Sequence, residues 1–465
     1  MFRFINTILL LSLIVQFAAA QMKTIDIPGV RPDDVKVDRM SNGWYFIATT
    51  DEGKALITFY DENFTVGKKV ELKIAGRKAR EAIYTSDSNF LCIGFPKIPN
   101  GHTETDFSFY VLTTSRETIA TRTFQEIEIK SLVMDDDRIF MVTVTNKDRA
   151  LHCHLLDLGL NTITEKLIPL ENKNALEKVN AAFVSGDLLL AYTFTKQQEN
   201  IFNVNMEVLG FRANDGVQFF NVREDVGEKN YSVNYLGKET RGTFIVSGEF
   251  SNREIFGRLT NSGVFKLVIS ESGEKLSLIT KPWTELIAQV KHKYSALYTS
   301  EFGLNDVGID YLLSQKTGFL IIYHLNFGKY AVFTDSVLNP VHTIELRQNE
   351  NDMDDFVYEE VLCTLKNKTP IALLFMADSK EGFPALFAST LNANDPHFME
   401  SILLNGRNGN PKMIWTNKSK TSPDKLSDLE NCNPSLIPSD PLHLVLFDDA
   451  VKDIRGARLY VYSVR

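Results

Sequence analysis

The chain has 465 residues and a formal net charge of −9, with 50 Lys and Arg against 59 Asp and Glu. Its basic residues are scattered and outnumbered, which argues against a surface that follows a phosphate backbone, so we expect no nucleic-acid partner. A chain of this length can bury large cores without covalent cross-links, so its four cysteines do not imply a disulfide scaffold.

The N-terminus has the pattern of a secretory signal peptide. Arg3 is followed by an apolar stretch over 8–17 and by three alanines at 18–20. A transmembrane anchor is the alternative, but the apolar stretch is shorter than the roughly 20 residues that a spanning helix needs. We expect a signal peptide over 1–20, no membrane span, no cofactor, and a secreted or periplasmic mature protein.

Residues 36–74 contain four strand patterns. A short run ends at Met40, apolar runs cover 44–48 and 55–60, and an alternating run covers 70–74, with turn-forming residues between them. Consecutive apolar positions predict that the second and third strands are covered on both faces, whereas alternation predicts an edge for the fourth. A single sheet of this kind needs similar sheets on either side.

The same pattern returns along the chain at a spacing of about 45 to 52 residues, which is typical of propeller blades. The later units are predicted over 82–127, 132–170, 181–222, 231–279, 294–346, 356–404 and 413–464. The fifth unit has five runs, at 231–236, 243–250, 254–259, 264–269 and 276–279, which is one strand pattern too many. A helical pattern that begins near Trp283 predicts an irregular insertion near 281–306.

Four-stranded units of this length predict an all-β β-propeller, with eight blades favoured over seven and with tandem β domains or a pair of β-sandwiches as alternatives. The chain resembles the β-propeller superfamily in its rhythm of strands and turns over essentially the whole mature length. It lacks the Trp-Asp pair of WD40 blades and the Gly-Gly pair of kelch repeats. The resemblance is therefore architectural, and it assigns no functional residues.

The ends of the chain complement each other. The last unit lacks a fourth strand at its C-terminal end, whereas a run over 24–27 precedes the first unit. We expect this run to pair beside 459–464 and complete the last blade, which removes an exposed edge. Ile25 and Ile27 should then pack inward while Asp26 faces out. The prediction is a single, monomeric propeller domain over 21–465.

The cysteines and one His-rich strand bear on metal and redox chemistry. Three of the cysteines, Cys92, Cys153 and Cys363, lie in apolar runs, which favours buried free thiols over a disulfide; Cys432 lies in a polar stretch. In the sequence His152-Cys153-His154, the two His side chains share one face of a strand while the Cys faces away. Convergence of all three on one ion is not expected, so the sequence predicts no metal there.

Acidic clusters occur at Asp135–Asp137 and at 352–355. Alternating carboxylates can begin a calcium cage, but neither cluster has the spacing of a helix-loop-helix calcium site. We interpret both as solvated turns.

The sequence contains no nucleophile elbow, zinc-protease motif, phosphate-binding glycine loop or dinucleotide fingerprint. Candidate ligand-binding residues are Arg77, Lys78 and Arg80, in a basic loop between the first two units, and Trp415, which could offer a stacking face. A solvated loop and a core tryptophan are the alternative readings.

The prediction that follows is a non-catalytic propeller that acts as a binding or scaffold module for a protein or a glycan. The alternative is a secreted hydrolase or lyase with an active site assembled near the propeller axis. Ionisable groups with shifted pKa values gathered there would favour the enzyme.

Overall fold

The computed structural model describes most of the chain between Met22 and Ser463. The described residues are 22–40, 43–51, 53–74, 78–87, 89–97, 105–114, 118–145, 150–170, 176–198, 201–224, 229–239, 242–252, 262–286, 307–315, 318–325, 328–347, 356–364, 370–378, 383–390, 400–403, 435–440, 443–451 and 454–463. They form 31 strands, a short 3-10 helix at Pro32–Asp34 and one short α-helix, α1, at Trp283–Leu286.

The strands of the first half are rich in β-branched and aromatic residues, which suit a pleated, covered surface. They are β1 (Met22–Pro28), β2 (Val35–Arg39), β3 (Tyr45–Asp51), β4 (Lys54–Tyr60), β5 (Val66–Lys73), β6 (Ile83–Asp87), β7 (Phe90–Pro96), β8 (Thr105–Thr113), β9 (Thr118–Asp135), β10 (Arg138–Val144), β11 (Ala150–Asp157), β12 (Thr162–Pro169), β13 (Leu176–Val184), β14 (Asp187–Gln198), β15 (Ile201–Arg212) and β16 (Gln218–Glu224).

The strands of the second half continue in the same way. They are β17 (Lys229–Lys238), β18 (Phe244–Asn252), β19 (Ser262–Ile269), β20 (Lys275–Pro282), β21 (Val307–Gln315), β22 (Gly318–Leu325), β23 (Gly328–Thr334), β24 (Pro340–Arg347), β25 (Phe356–Thr364), β26 (Pro370–Asp378), β27 (Phe383–Thr390), β28 (Glu400–Leu403), β29 (Ser435–Asp440), β30 (His443–Val451) and β31 (Gly456–Ser463).

The strands follow one another as antiparallel meanders. Strands β2–β5, β13–β16, β17–β20, β21–β24 and β25–β28 each form a four-stranded sheet in chain order, and a sixth sheet has the order β1-β31-β30-β29. Successive four-stranded antiparallel sheets, with the N-terminal strand completing the C-terminal sheet, are the architecture of a β-propeller. The predicted all-β propeller is confirmed.

Strands β6–β12 form one seven-stranded sheet because β9 belongs to two four-stranded sets. The first half of β9 pairs with β8 and its second half pairs with β10. Glu126 has a φ of 50° between the two halves, and its amide donates to Asp106 Oδ1. With β9 counted twice, the described strands make eight four-stranded sets; the blade number itself stays a prediction.

The described elements group into two compact units. One comprises Met1–Arg39, Tyr45–Asp51 and Asn351–Arg465, and the other comprises Met40–Trp44 and Glu52–Glu350. In the second unit, apolar side chains of successive sheets pack face to face; one cluster joins Phe140 and Leu155 to Leu188 and Leu209. The middle strands β7 and β10 are almost entirely buried, while β12 alternates between exposed and half-buried side chains along most of its length.

The predicted pairing of the chain ends is confirmed within the first unit. Strands β1 and β31 are antiparallel, with Ile25 opposite Leu459 and Asp26 opposite Arg458. Ile25 and Ile27 are half-buried while Asp26 is exposed, as predicted. The Arg458 guanidinium donates to the Asp26 carboxylate.

One strand was misplaced by the sequence prediction. The sequence places the inner strand of the last sheet at 413–415, whereas the structure has β29, Ser435–Asp440, at that edge. Pro438 and the surrounding polar residues read as a turn, but an edge strand tolerates a proline, and the register shifts between Ile437 and Asp440. Residues 404–434, which include Trp415, lie outside the described residues.

The remaining fold predictions are partly tested. Helix α1 begins at Trp283 as predicted, and the rest of the predicted insertion, over 287–306, lies outside the described residues. One of the five runs of the fifth unit, at 254–259, also lies outside them. The thiols of Cys92 and Cys153 are free and buried, and burial raises the pKa of each to about 12. The state of the Cys363 and Cys432 side chains stays a prediction.

The same hairpin turn closes the third strand onto the fourth in three sheets. It begins at Asp61, Asp157 and Asp335, and its fourth residue, Phe64, Leu160 or Leu338, is buried and has a φ between 55° and 64°. In each turn the Asp carboxylate accepts the backbone N–H of the fifth residue at 2.7 to 2.8 Å. The aspartate thus orders the turn through its hydrogen bonds, and the buried fourth residue fixes the turn against the core.

Candidate functional site

The first strands of the successive sheets in the second unit lie against one another. Strand β6 contacts β9, β9 contacts β13, β13 contacts β17 and β17 contacts β21. Nearly all side chains of β6, of the second half of β9 and of β13 are half-buried, unlike those of the middle strands. We call the surface formed by β6, the second half of β9, β13, β17 and β21 the inner-strand surface.

Four of these strands carry a β-bulge at a polar residue. The strand registers skip Lys130 in β9, Glu177 in β13, Asn234 in β17 and Asp310 in β21. The pairing of β6 with β7 has no such shift. Bulges re-aim side chains and are common beside functional sites, which makes the inner-strand surface the candidate site.

Polar side chains from three successive sheets meet around Glu249 in β18. Glu249 is paired directly with Ser232, and its Oε1 accepts the backbone N–H of Ile309, in the next sheet, at 2.6 Å. Lys178, in the preceding sheet, places Nζ 3.4 Å from Ser232 Oγ. We call Lys178, Ser232, Glu249, Asp310 and His324 the Glu249 cluster.

Asp310 and His324 form a close pair within the cluster. Asp310 Oδ1 lies 2.8 Å from His324 Nδ1, so the Asp310 carboxylate orients the imidazole through Nδ1. Gly308 makes room for this ring: a Cβ added at Gly308 would lie 2.8 Å from His324 Cε1. A side chain at position 308 would therefore displace the imidazole.

Burial drives the electrostatics of the cluster. It raises the pKa of Glu249, and the Ile309 amide and the positive charges of Lys178 and His324 oppose that rise. Burial likewise lowers the pKa of Lys178, against the attraction of Glu249. The two groups attract each other, yet burial moves both toward their neutral forms. Such a set can bind polar groups by hydrogen bonds or exchange protons with them.

The sequence did not indicate the Glu249 cluster. Its residues are spread from 178 to 324, and the chain brings them together only through the packing of neighbouring sheets. A usable signal was present, because Glu249, Asp310 and His324 each interrupt an otherwise apolar strand run.

The predicted ligand-binding residues are only partly described. Lys78 is half-buried and Arg80 is exposed, between β5 and β6. Arg77 and Trp415 lie outside the described residues. Their role as a ligand site stays a prediction.

The His-rich strand has the predicted orientation. Cys153 packs into the core cluster of Phe140 and Leu188, while the rings of His152 and His154 stack on the other face with centroids 6.1 Å apart. The acidic segment Asp135–Asp137 leads into a turn, where Asp87 approaches it. The pKa of Asp135 is raised mainly by burial and to a smaller extent by the neighbouring carboxylates.

Comparison with known proteins gives distant structural similarity alone. No protein-family description and no curated protein matches the chain. Similar solved structures include the Dos1 propeller, at 12% identity and a TM-score of 0.45 over 96% of this chain and 95% of that one. The WD40 domain of SCAP from fission yeast has 8% identity and a TM-score of 0.44, over 96% and 94%.

Prolyl oligopeptidase B from Galerina marginata has 8% identity and a TM-score of 0.44, over 92% of this chain and 55% of that one. The assignment of a propeller rests on the order of the sheets rather than on these similarities. Within the described residues, no helix has the length and hydrophobicity that crossing a bilayer requires.

Proposed function

We propose that this protein is a secreted or periplasmic binding module that holds a glycan at the Glu249 cluster, where the inner-strand surface adjoins β18 and β22. The observation that carries the proposal is the convergence of five hydrogen-bonding side chains from three sheets on one place. The cluster offers both charge signs and both donors and acceptors, which suits a ligand rich in hydroxyl groups. A rigid sheet scaffold holds such groups without an ordering cost at binding.

A glycan array followed by calorimetry tests this proposal. The wild-type protein should bind at least one glycan, and Glu249→Gln and Asp310→Asn should each weaken that binding by more than about tenfold, as expected for a lost charged hydrogen bond. Glu71→Gln is the matched control, because Glu71 is an exposed carboxylate on β5 that pairs with Lys54. Absence of glycan binding, or equal binding by all variants, would contradict the proposal, and a protein ligand would then be sought.

A second candidate function is acid–base catalysis on a polysaccharide. The observation that favours it is the opposite direction of the pKa shifts of Glu249 and Lys178, which brings a proton donor and a proton acceptor together. Release of reducing ends from polysaccharides should then occur in the wild type and be lost in Glu249→Gln. If Glu249→Gln still cleaves the polysaccharide, Glu249 has no acid–base role in that reaction.

The location outside the cytoplasm is proposed from the leader pattern over 1–20. The mass of the mature protein recovered from the medium or the periplasm tests it. An N-terminus at Gln21 is expected, and an intact Met1 on protein retained in cells would contradict it.

A further inference from the structure

We propose that His152, His154 and Glu165 bind one divalent transition-metal ion of the zinc class. Cys153 points into the core, as the sequence predicts, so the third donor comes from the next strand instead. Glu165 in β12 is paired directly with His154 in β11. Its carboxylate therefore lies on the face that carries both imidazoles.

The donor atoms converge at distances that suit one ion. Glu165 Oε1 lies 3.4 Å from His152 Nδ1 and 3.9 Å from His154 Nδ1. One donor atom from each of the three residues lies within 4.8 Å of the other two. Tetrahedral zinc with bonds of about 2.0 to 2.1 Å separates its ligand atoms by roughly 3.3 Å. The first contact matches this spacing, and a small movement of the Glu165 carboxylate brings in the second.

The hydrogen bonding of His154 is the second, independent observation. Its Nε2 lies 3.4 Å from the buried hydroxyl of Thr143, whereas its Nδ1 is buried without a hydrogen-bond partner among the described residues. A proton on Nε2, donated to Thr143 Oγ1, directs the Nδ1 lone pair toward Glu165. Metal-bound histidines commonly have this arrangement, in which a partner of the second nitrogen fixes the tautomer. A metal ion would satisfy the buried Nδ1.

The site is supported on one side and open on the other. The Phe124 ring lies 5.9 Å from the His154 ring and limits its movement, and the Arg122 guanidinium covers Phe124 and donates to Leu160 O and Thr162 Oγ1. The Glu165 side chain is 48% exposed, so an ion can enter from solvent. Three protein donors leave a fourth position for water, as in zinc sites that are not purely structural.

The positive charge of Arg122 opposes a bound cation, and it contributes to the electrostatics of His154. A donor set of two imidazoles and one carboxylate favours zinc, cobalt or nickel over calcium or magnesium, because the harder ions require mainly oxygen ligands. We therefore expect selective binding of a transition metal in spite of the nearby guanidinium.

Titration of the metal-free full-length mature protein with Zn²⁺ or Co²⁺ alone tests the site. One ion per chain should bind, and bound Co²⁺ should give the absorption spectrum of a four-coordinate ion. Ca²⁺ should not compete for the site. Glu165→Gln and His152→Ala should each lower the affinity by more than about tenfold. Cys153→Ala and Glu71→Gln should retain the wild-type affinity, because Cys153 lies on the opposite face and Glu71 lies in another sheet.

Because Glu165 is half-exposed, Glu165→Gln leaves the core intact. The metal-binding test therefore stays valid even if substitution of the buried His154 prevents folding. Circular dichroism and melting of each metal-free variant verify folding. Failure to bind one ion per chain, or unchanged affinity in both Glu165→Gln and His152→Ala, would overturn the proposal. Loss of binding in Cys153→Ala would overturn this choice of ligands.

Discussion

Three apolar residues adopt a conformation that L-amino acids usually avoid. Phe64, Leu160 and Leu338 have positive φ in the repeated hairpin, where a glycine would be free of strain. The cost of the left-handed conformation is about 1 to 2 kcal/mol. Each side chain is almost completely buried, and loss of such a side chain costs about 2 to 5 kcal/mol. Burial therefore outweighs backbone strain at this position.

The hairpin at Asp335 gives a residue-level prediction. Leu338→Gly should lower the free energy of unfolding by about 2 kcal/mol, because lost burial exceeds relieved strain. Asp335→Ala should lower it by about 1 kcal/mol through the loss of its hydrogen bonds to the amides of Val337 and Asn339. Urea unfolding measures both, with the exposed Val337→Thr as a control that should change little. A stabilised Leu338→Gly would contradict the balance.

Glu249 gives the prediction on pH. Its pKa is raised by burial above the ordinary 4.5, so the folded protein binds more protons than the unfolded chain between these two values. Stability should therefore fall as the pH rises from about 4.5 through the raised pKa. Glu249→Gln removes this titration while keeping an acceptor for the Ile309 amide.

The measurement is the melting temperature of the wild type and of Glu249→Gln from pH 4 to pH 8. The difference, variant minus wild type, should grow more positive with pH over the window above 4.5. Thr121→Ser, an exposed substitution without a titratable group, should give no such trend. A difference that stays constant, or that becomes more negative with pH, would mean that burial does not control this carboxyl group.

At the level of elements, β9 shows how one strand belongs to two four-stranded sets of the seven-stranded sheet. A long strand that twists from one sheet into the next needs a local change of backbone direction, and Glu126 supplies it with a φ of 50°. Its side chain is exposed, so its removal leaves no cavity in the core. The hydrogen bond to Asp106 is made by its backbone N–H and does not depend on the side chain.

We therefore predict that Glu126→Gly stabilises the protein by about 1 kcal/mol, because glycine adopts the left-handed region without strain. Thr121→Gly is the matched control: it is an exposed position in the same strand, paired regularly with Tyr110, and should cost about 0.5 to 1 kcal/mol. Equilibrium unfolding distinguishes the two signs. Equal destabilisation by both glycines would show that β9 has no special conformation at Glu126.

The elements that the sequence predicted well are those with local signals. Consecutive apolar residues and turn residues identified the strands of the first seven units, and the helical spacing identified the start of α1. Strand β29 was missed because Pro438 and its polar neighbours carry a turn signal that the sheet edge overrides. Glu165 and Glu249 were missed because their proposed roles depend on partners in the neighbouring strand or sheet. The interruption of an apolar run marks Glu249 in the sequence, but it does not identify those partners.

At the scale of the whole molecule, the two ends of the chain meet in one sheet. Among the described strands, β1 pairs with β31 alone, which lies more than 400 residues away in sequence. Ala457, Leu459 and Val461 of β31 are almost completely buried in this arrangement. Pairing across so long a stretch of chain carries a large loop-closure entropy cost, so we expect β1 to dock late in folding.

Deletion of residues 21–28 from a chain that begins at Gln21, the predicted mature N-terminus, tests the importance of this pairing. The truncated protein would lose the β1–β31 hydrogen bonds and the burial of Ile25 and Ile27, and it would expose an unpaired edge of β31. We expect a loss of stability on the order of several kcal/mol and an increased tendency to aggregate.

Asp26→Asn is the matched control, because it keeps the strand and removes only the ion pair between Asp26 and Arg458. The side chain of Asp26 in this pair is 46% exposed. Such a pair contributes less than about 1 kcal/mol, so the substitution should melt close to the wild type. A truncated chain that melts like the full mature protein would show that the pairing of the chain ends does not hold the fold together.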